Sequence, residues 1–349
     1  MRVTFVSFDD DPPQGGQGVV LHGMRLALKR RQVHVHTVSG RGANRVTYAR
    51  VTGRPPLDLS LQLNRNRSIL YRDEPDLIHA FGGPGGVLVW RPLLVPLVYT
   101  AHHTYRQAFR RTSPRRVLSP LEARAYRRAA KVLPVSKSTA DAVMALGVPA
   151  SRIEVVPNGI EMAEVDGVQR ELGRLLFVGR LEAEKGVLDA LSVMESINRE
   201  RSDARGVVVG TGRLRATVTE RVAQSSGRIE YLGNIDSDQL AREYARAALV
   251  LVPSRYEGLG MVALEAQILG TPVAGYDVDG LRDAVTEGGV LVSPGDAAGL
   301  RAATVALLDD PSRSAEMGAR GRDRVRREHS WVQVGERLEA IYSEVLRAA

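Results

Sequence analysis

The sequence predicts an α/β protein of two doubly wound domains, each a parallel sheet with helices on both faces. Three observations predict it. Short apolar runs alternate with segments of helical period from one end of the chain to the other, the pattern left by repeated βαβ units. The 349 residues exceed what one ordinary core organises, so two domains of about 150–200 residues are expected. The charge is also divided. Residues 1–170 carry 25 Lys and Arg against 13 Asp and Glu, and residues 171–349 carry 23 against 27, which suggests that the halves bind different things.

The elements follow in order. Residues 1–8 form a first strand, and a Gly-rich loop leads to a helix that buries Val20, Leu21, Met24 and Leu28 at helical spacing. Residues 33–37 alternate as a second strand, and 76–79, 97–100, 132–135 and 153–156 read as further short strands of the first domain. Pro157-Asn158-Gly159 is a turn, because Asn-Gly readily takes positive φ. The polar, aperiodic stretch 162–170 is read as a linker. A second alternation runs through strands at 174–178, 206–209, 228–231, 248–252 and 272–275. At the end, Trp331, Val334, Leu338, Ile341, Tyr342 and Val345 recur at helical spacing. The domains expected are 1–162 and 163–330, with 331–349 a closing helix.

Composition excludes several classes. The chain has no cysteine, so disulfides, thiolate catalysis and Cys-bound metals are out. Its start lacks a signal-peptide apolar region. The most apolar segment, 87–101, is interrupted by Arg91, Pro92 and Pro96 and does not read as a spanning helix. A cytoplasmic enzyme fits. The isoelectric point near 10.0 raises nucleic-acid binding as a rival of another class. Against it, only 5% of residues are aromatic, leaving few rings for bases to stack on.

Chemistry concentrates at strand ends. In residues 253–273 the apolar strand meets a loop with Tyr256 and Glu257, and Gly258, Leu259 and Gly260 then open a helix. A helix start with nearly bare backbone offers N–H donors and a positive dipole end to an anion. Glu265 lies two turns on, roughly 9–12 Å from Glu257, so the two carboxylates can hold opposite ends of an extended ligand. Residues 179–186, Gly-Arg-Leu-Glu-Ala-Glu-Lys-Gly, follow another buried strand. Arg180 supplies a bidentate fork for phosphate and Lys185 a flexible point charge. Gly15 and Gly16 lie between the first strand and its helix, where glycine admits a bulky anion. Tyr99-Thr100-Ala101-His102-His103 ends a strand at the carboxyl edge. Asp9-Asp10-Asp11 reads as a solvated loop and not as a metal site, because Mg²⁺ ligands usually come from separated positions.

In this order, these segments resemble the motifs of retaining glycosyltransferases of family 4, which have the GT-B fold of two Rossmann-like domains facing across a cleft. Glu257 to Glu265 is similar to the family's E-x7-E, and 179–186 to its G-R-L-x-x-x-K-G. The segment 156–161 looks like V-P-N-G-I-D with Glu161 in place of Asp, and Gly210 and Gly212 match positions that flank the nucleotide base. The resemblance implies that Glu257 lies at the transferred sugar, Glu265 at the ribose, and Arg180 and Lys185 at the diphosphate. Gly15, Gly16, Gly212, Gly258, Leu259 and Gly260 would line the donor, and His102, or alternatively His103, would lie beside the sugar. It further implies a nucleotide-diphosphate sugar as substrate, no resident cofactor, no bound metal, retention of configuration by a front-face mechanism, and a last helix that crosses back to the first domain. A nucleotide-sugar epimerase of the same fold is the rival reading within that likeness.

The acceptor is expected to be anionic or lipid-linked, with peripheral association at the inner membrane face. Between Arg106 and Lys131 nine basic residues stand against one acid, Glu122. Arg110, Arg111, Arg115 and Arg116 follow His102 closely. Ser119-Pro120 reads as a helix cap, after which Arg124, Arg127, Arg128 and Lys131 would form one basic face.

Overall fold

The structure, a computed structural model, describes residues 1–10, 16–109, 112–163 and 165–349. They sort into two compact units, Met1–Gly159 with His329–Ala349, and Ile160–Glu328. Each is built on one parallel sheet. In the first unit β1 (Arg2–Ser7), β2 (His34–Ser39), β3 (Leu77–Gly82), β4 (Leu97–Ala101) and β5 (Lys131–Pro134) take the order β2-β1-β3-β4-β5. In the second, β6 (Glu171–Val178), β7 (Arg205–Val209), β8 (Ile229–Gly233), β9 (Ala247–Val252), β10 (Val273–Tyr276) and β11 (Gly289–Val292) take the order β11-β10-β9-β6-β7-β8. β3, β4 and β9 are buried along their whole length. Strands covered on both faces read as unbroken apolar runs.

The last helix, Trp331–Arg347, belongs to the first unit and buries Val334, Leu338, Ile341, Tyr342 and Val345. Ser330 caps it, its hydroxyl accepting from the Val332 N–H at 3.2 Å. It packs along the helix Gly16–Arg30, where the indole of Trp331 occupies the space a Cβ on Gly23 would need. Arg31 beside that helix pairs with Glu336 and Glu339. Within the sheet the buried His79 uses both ring nitrogens, with the Tyr342 hydroxyl at 2.5 Å and the Thr100 hydroxyl at 2.8 Å. Burial pushes its pKa down to about 3, with His102 adding to the shift. A neutral ring satisfied on both sides is a structural tie.

The structure corrects several readings. Residues 153–156 do not form a strand; they hydrogen-bond β5 along one side only, through Glu154 N to Val132 O and Val156 N to Pro134 O. β11 is an edge strand that the sequence reading lacked. Asp9 and Asp10 are not solvated: both are buried, Asp9 against Arg41 at 2.8 Å and Asp10 against Arg25 and the Asn44 amide. Ser119 is not a cap but the first residue of the helix Ser119–Arg128, which continues the 3₁₀ turn Pro114–Leu118. That helix ends before Lys131, which opens β5 and pairs with Glu344 at 3.0 Å. The basic face therefore loses its fourth member.

Candidate active site

The strand order in the second unit reverses between β6 and β9. Loops leaving the carboxyl ends of two such neighbours run to opposite faces and leave a crevice between them. Those loops are residues 179–186 and 253–260, the two segments with the strongest chemical pattern in the sequence. They are fastened to each other. The Arg255 N–H donates to the Glu184 carbonyl at 2.8 Å. Gly186 has φ +71°, and a Cβ there would lie 2.0 Å from the Pro253 carbonyl oxygen, so only glycine allows this approach.

Across the crevice Lys185 Nζ donates to Glu257 Oε1 at 2.6 Å. Both side chains are largely shielded, at 23% and 14% exposure. Arg180 is turned to Glu184 at 3.2 Å and is 61% exposed. Lys185 and Arg180 thus each hold a different carboxylate. Gly260 (φ +74°) starts the helix Met261–Ile268 with no side-chain cap, and Leu259 beside it is buried. Gly280 lies against the backbone of Glu257 and Gly258, its N–H donating to the Glu257 carbonyl at 3.2 Å. On that helix Glu265 accepts from the Tyr244 hydroxyl at 2.8 Å. Burial raises its pKa, and the tyrosine hydrogen bond opposes the rise. Gly212 brings the loop after β7 into contact with residue 181, where a Cβ would meet the Leu181 carbonyl at 2.5 Å.

Sequence reasoning missed the brace beneath these loops. Asp189, in the first turn of the helix Val187–Glu200, accepts from Arg255 at 3.0 Å and from the Tyr276 hydroxyl at 2.8 Å. The only trace in the sequence is an arginine two places before Glu257. Its partner comes from another βα unit, so no local period links the two.

In the first unit the carboxyl edge holds Gly16 and His102. Gly16 opens the helix Gly16–Arg30 and has no atom within 4 Å of where a Cβ would stand; Gly15 lies outside the described residues. His102 stacks on Phe81 with ring centroids 6.1 Å apart, and its buried Nε2 has no hydrogen-bond partner among the described residues. Burial, then the neighbouring His103, pushes its pKa down to about 3. It is a neutral ring, suited to accept or donate a hydrogen bond and not to act as an imidazolium acid. Beneath this turn Glu122 is fully buried and accepts the Tyr105 N–H at 3.0 Å. Burial pushes its carboxyl up to about 8 despite that hydrogen bond.

Of the expected acceptor arginines, Arg110 and Arg111 lie outside the described residues. Arg115 and Arg116 sit on the 3₁₀ turn, Arg115 over the Phe109 ring at 5.4 Å and Arg116 toward the Phe109 carbonyl. Among the described residues no helix is long and apolar enough to cross a membrane.

Comparison with known proteins decides the family. Residues 173–310 match the family model for glycosyl transferases group 1, and residues 14–164 match that for glycosyltransferase family 4. A glycogen synthase of Mycobacterium tuberculosis is 30% identical over 289 residues, 77% of this chain and 68% of that one. The chain belongs to glycosyltransferase family 4. Among solved structures, sucrose-phosphate synthase from Thermosynechococcus elongatus aligns over the whole of both chains at a TM-score of 0.81 and 20% identity. Anabaena HepE in complex with UDP-glucose aligns over the whole of both at 0.74 and 17%. These likenesses give this glycosyltransferase the GT-B fold, as the sequence motifs imply.

Proposed function

We propose that this glycosyltransferase moves a sugar from a nucleoside diphosphate sugar to an acceptor hydroxyl, with retention of configuration and without a bound metal. The observation that carries the reading is the Lys185–Glu257 pair at the β6–β9 switch point. It sets an ammonium suited to diphosphate oxygens beside a carboxylate suited to sugar hydroxyls. That a structural neighbour is seen with UDP-glucose supports the donor class.

In the proposed reaction the bond from the anomeric carbon to the diphosphate breaks while the acceptor oxygen bonds to the same face. The departing phosphate oxygen takes the acceptor's proton. Lys185 and Arg180 neutralise the charge that develops there, the largest kind of contribution an enzyme of this type makes. Glu257 holds the sugar and stabilises its cationic character, and Glu265 holds the ribose, assisted by Tyr244. The neutral His102 contributes a hydrogen bond to substrate. We assign the acceptor an anionic group, on the strength of the exposed Arg115 and the neighbouring Arg116 just beyond His102.

Screening UDP-, GDP- and ADP-sugars for a raised unfolding temperature tests the donor, because a ligand bound to the folded state stabilises it by RT ln(1 + [L]/Kd). One of them is expected to raise it and to be consumed only with an acceptor. The anomeric coupling constant of the product reads retention, and chelator should leave turnover unchanged. If no nucleotide sugar shifts unfolding, the donor assignment fails.

A further inference from the structure

The first unit carries a second concavity, at the opposite edge of its sheet from His102. It has a volume of about 390 Å³ and forms where β4 and β5 begin, with Leu97 and Val95 on its apolar wall and Arg91, Arg128 and Arg152 around it. β4 runs the length of the sheet between this cavity and His102, a separation of about 16 Å at the rise of a strand. The candidate active site lies at carboxyl ends, so this one stands apart from it.

Its charge is uncompensated. Arg91, Arg128 and Arg152 are exposed and face no carboxylate among the described residues, whereas Arg174 faces Glu243 at 2.6 Å and Arg221 faces Glu195 at 2.6 Å. Among the described residues no acidic one lines the cavity. Among the described residues the Arg91 and Arg128 side chains have no hydrogen-bond or ion-pair partner, and Arg152 gives one N–H to the Arg127 carbonyl at 3.2 Å, which leaves most of its fork unused. Arg128 stands in the last turn of the helix Ser119–Arg128, where the carbonyl end of the dipole favours a cation. That argument does not reach Arg91, in the loop before β4, or Arg152, on the turn Ala150–Arg152. Three like charges around one concavity focus one sign of potential into it. Planar guanidinium forks match phosphate oxygens two at a time, and the volume falls in the range that accepts a small molecule.

We infer that this cavity is an anion site that binds a phosphate-bearing group, separate from the site of sugar transfer.

The test compares three forms of the full chain: wild type, Arg91→Ser/Arg128→Ser/Arg152→Ser, and a control with three exposed arginines of the second unit changed, Arg313→Ser/Arg320→Ser/Arg326→Ser. Unfolding temperature is measured in sodium phosphate and in sodium chloride of equal ionic strength, which removes general screening. Phosphate is expected to raise the midpoint of wild type and control above the chloride value, through its general exclusion from protein surface and through bound anion, and the rise is expected to be clearly smaller in the cavity variant than in the control. Arg91→Ser alone, in an exposed loop, should weaken phosphate affinity several-fold and serves if the triple variant folds poorly in chloride. A second arm, cosedimentation with phosphatidylglycerol or phosphatidylcholine vesicles, identifies the source of the phosphate. Retention by phosphatidylglycerol that needs the three arginines assigns it to a lipid headgroup, and a response to free phosphate without vesicle binding assigns it to a soluble ester. A phosphate effect undiminished in the cavity variant, one reduced equally in the control, or silence in both arms overturns the inference.

Discussion

Lys185 and Glu257 hold each other at 2.6 Å, so a change in either one removes the partner that fixes the position of the other. Lys185→Ala should lower turnover by about 100-fold or more, a few kcal/mol of leaving-group stabilisation, while circular dichroism stays that of the wild type. Glu265→Ala should act differently. In the proposed ribose role it gives up a charge-assisted contact worth about 1.5–3 kcal/mol, and so should weaken the free nucleoside diphosphate roughly 10- to 150-fold by calorimetry. An unchanged nucleotide affinity would remove Glu265 from the ribose. Glu122 gives a pH signature. Its carboxyl is raised to about 8 when folded and is ordinary when unfolded, so between about pH 4.5 and 8 the folded state holds the extra proton. Stability therefore falls as pH rises through that window and levels off above it. Glu122→Gln, which keeps the shape and stays neutral, should flatten the fall in urea midpoint between pH 5 and 8. Two glutamates eight places apart were visible in the sequence because both sit in one βα unit. Asp189 and Tyr244 were not, because a side chain's partner from another unit leaves no local period.

At the scale of elements, what the sequence showed depended on burial. β9 reads Ala-Ala-Leu-Val-Leu-Val and is buried throughout, so its apolar run declares it. β11, Gly-Val-Leu-Val, is four residues at an edge and only half-buried, too short to separate from a turn. The stretch 153–156 is apolar because it lies along β5, yet it pairs on one side only and stays irregular. Asp9 and Asp10 looked like a solvated run because charge density alone cannot show Arg41 and Arg25 arriving from elsewhere. The loops after β6 and β9 behave as one element held by glycine. Gly186→Ala would force a side chain into left-handed backbone and into the Pro253 carbonyl. We expect a loss of about 1–3 kcal/mol in urea unfolding, together with a drop in turnover as Lys185 shifts from Glu257. Full stability in Gly186→Ala would mean that the two loops are not locked as described.

At the scale of the whole molecule, the first unit is discontinuous in sequence: it is closed by residues from the far end of the chain. The helical period of the last twenty residues announced a helix, and the burial of Leu338, Ile341, Tyr342 and Val345 shows that its apolar stripe is spent on the first unit's core. The Tyr342 hydroxyl is also one of the two partners that satisfy His79 inside β3. Tyr342→Phe should leave a buried ring nitrogen unpaired, at a cost of about 1–3 kcal/mol. Because each unit has its own sheet and core, that cost should fall on one of them. Hydrogen exchange read by mass spectrometry is the measurement. Peptides covering β1, β3 and the helix Gly16–Arg30 should exchange faster in Tyr342→Phe, and those covering β6 and β9 should keep wild-type protection, as expected when cooperative units open separately. Equal loss of protection in both sets would show that the two units unfold as one, and that the last helix supports the entire chain and not its first part alone.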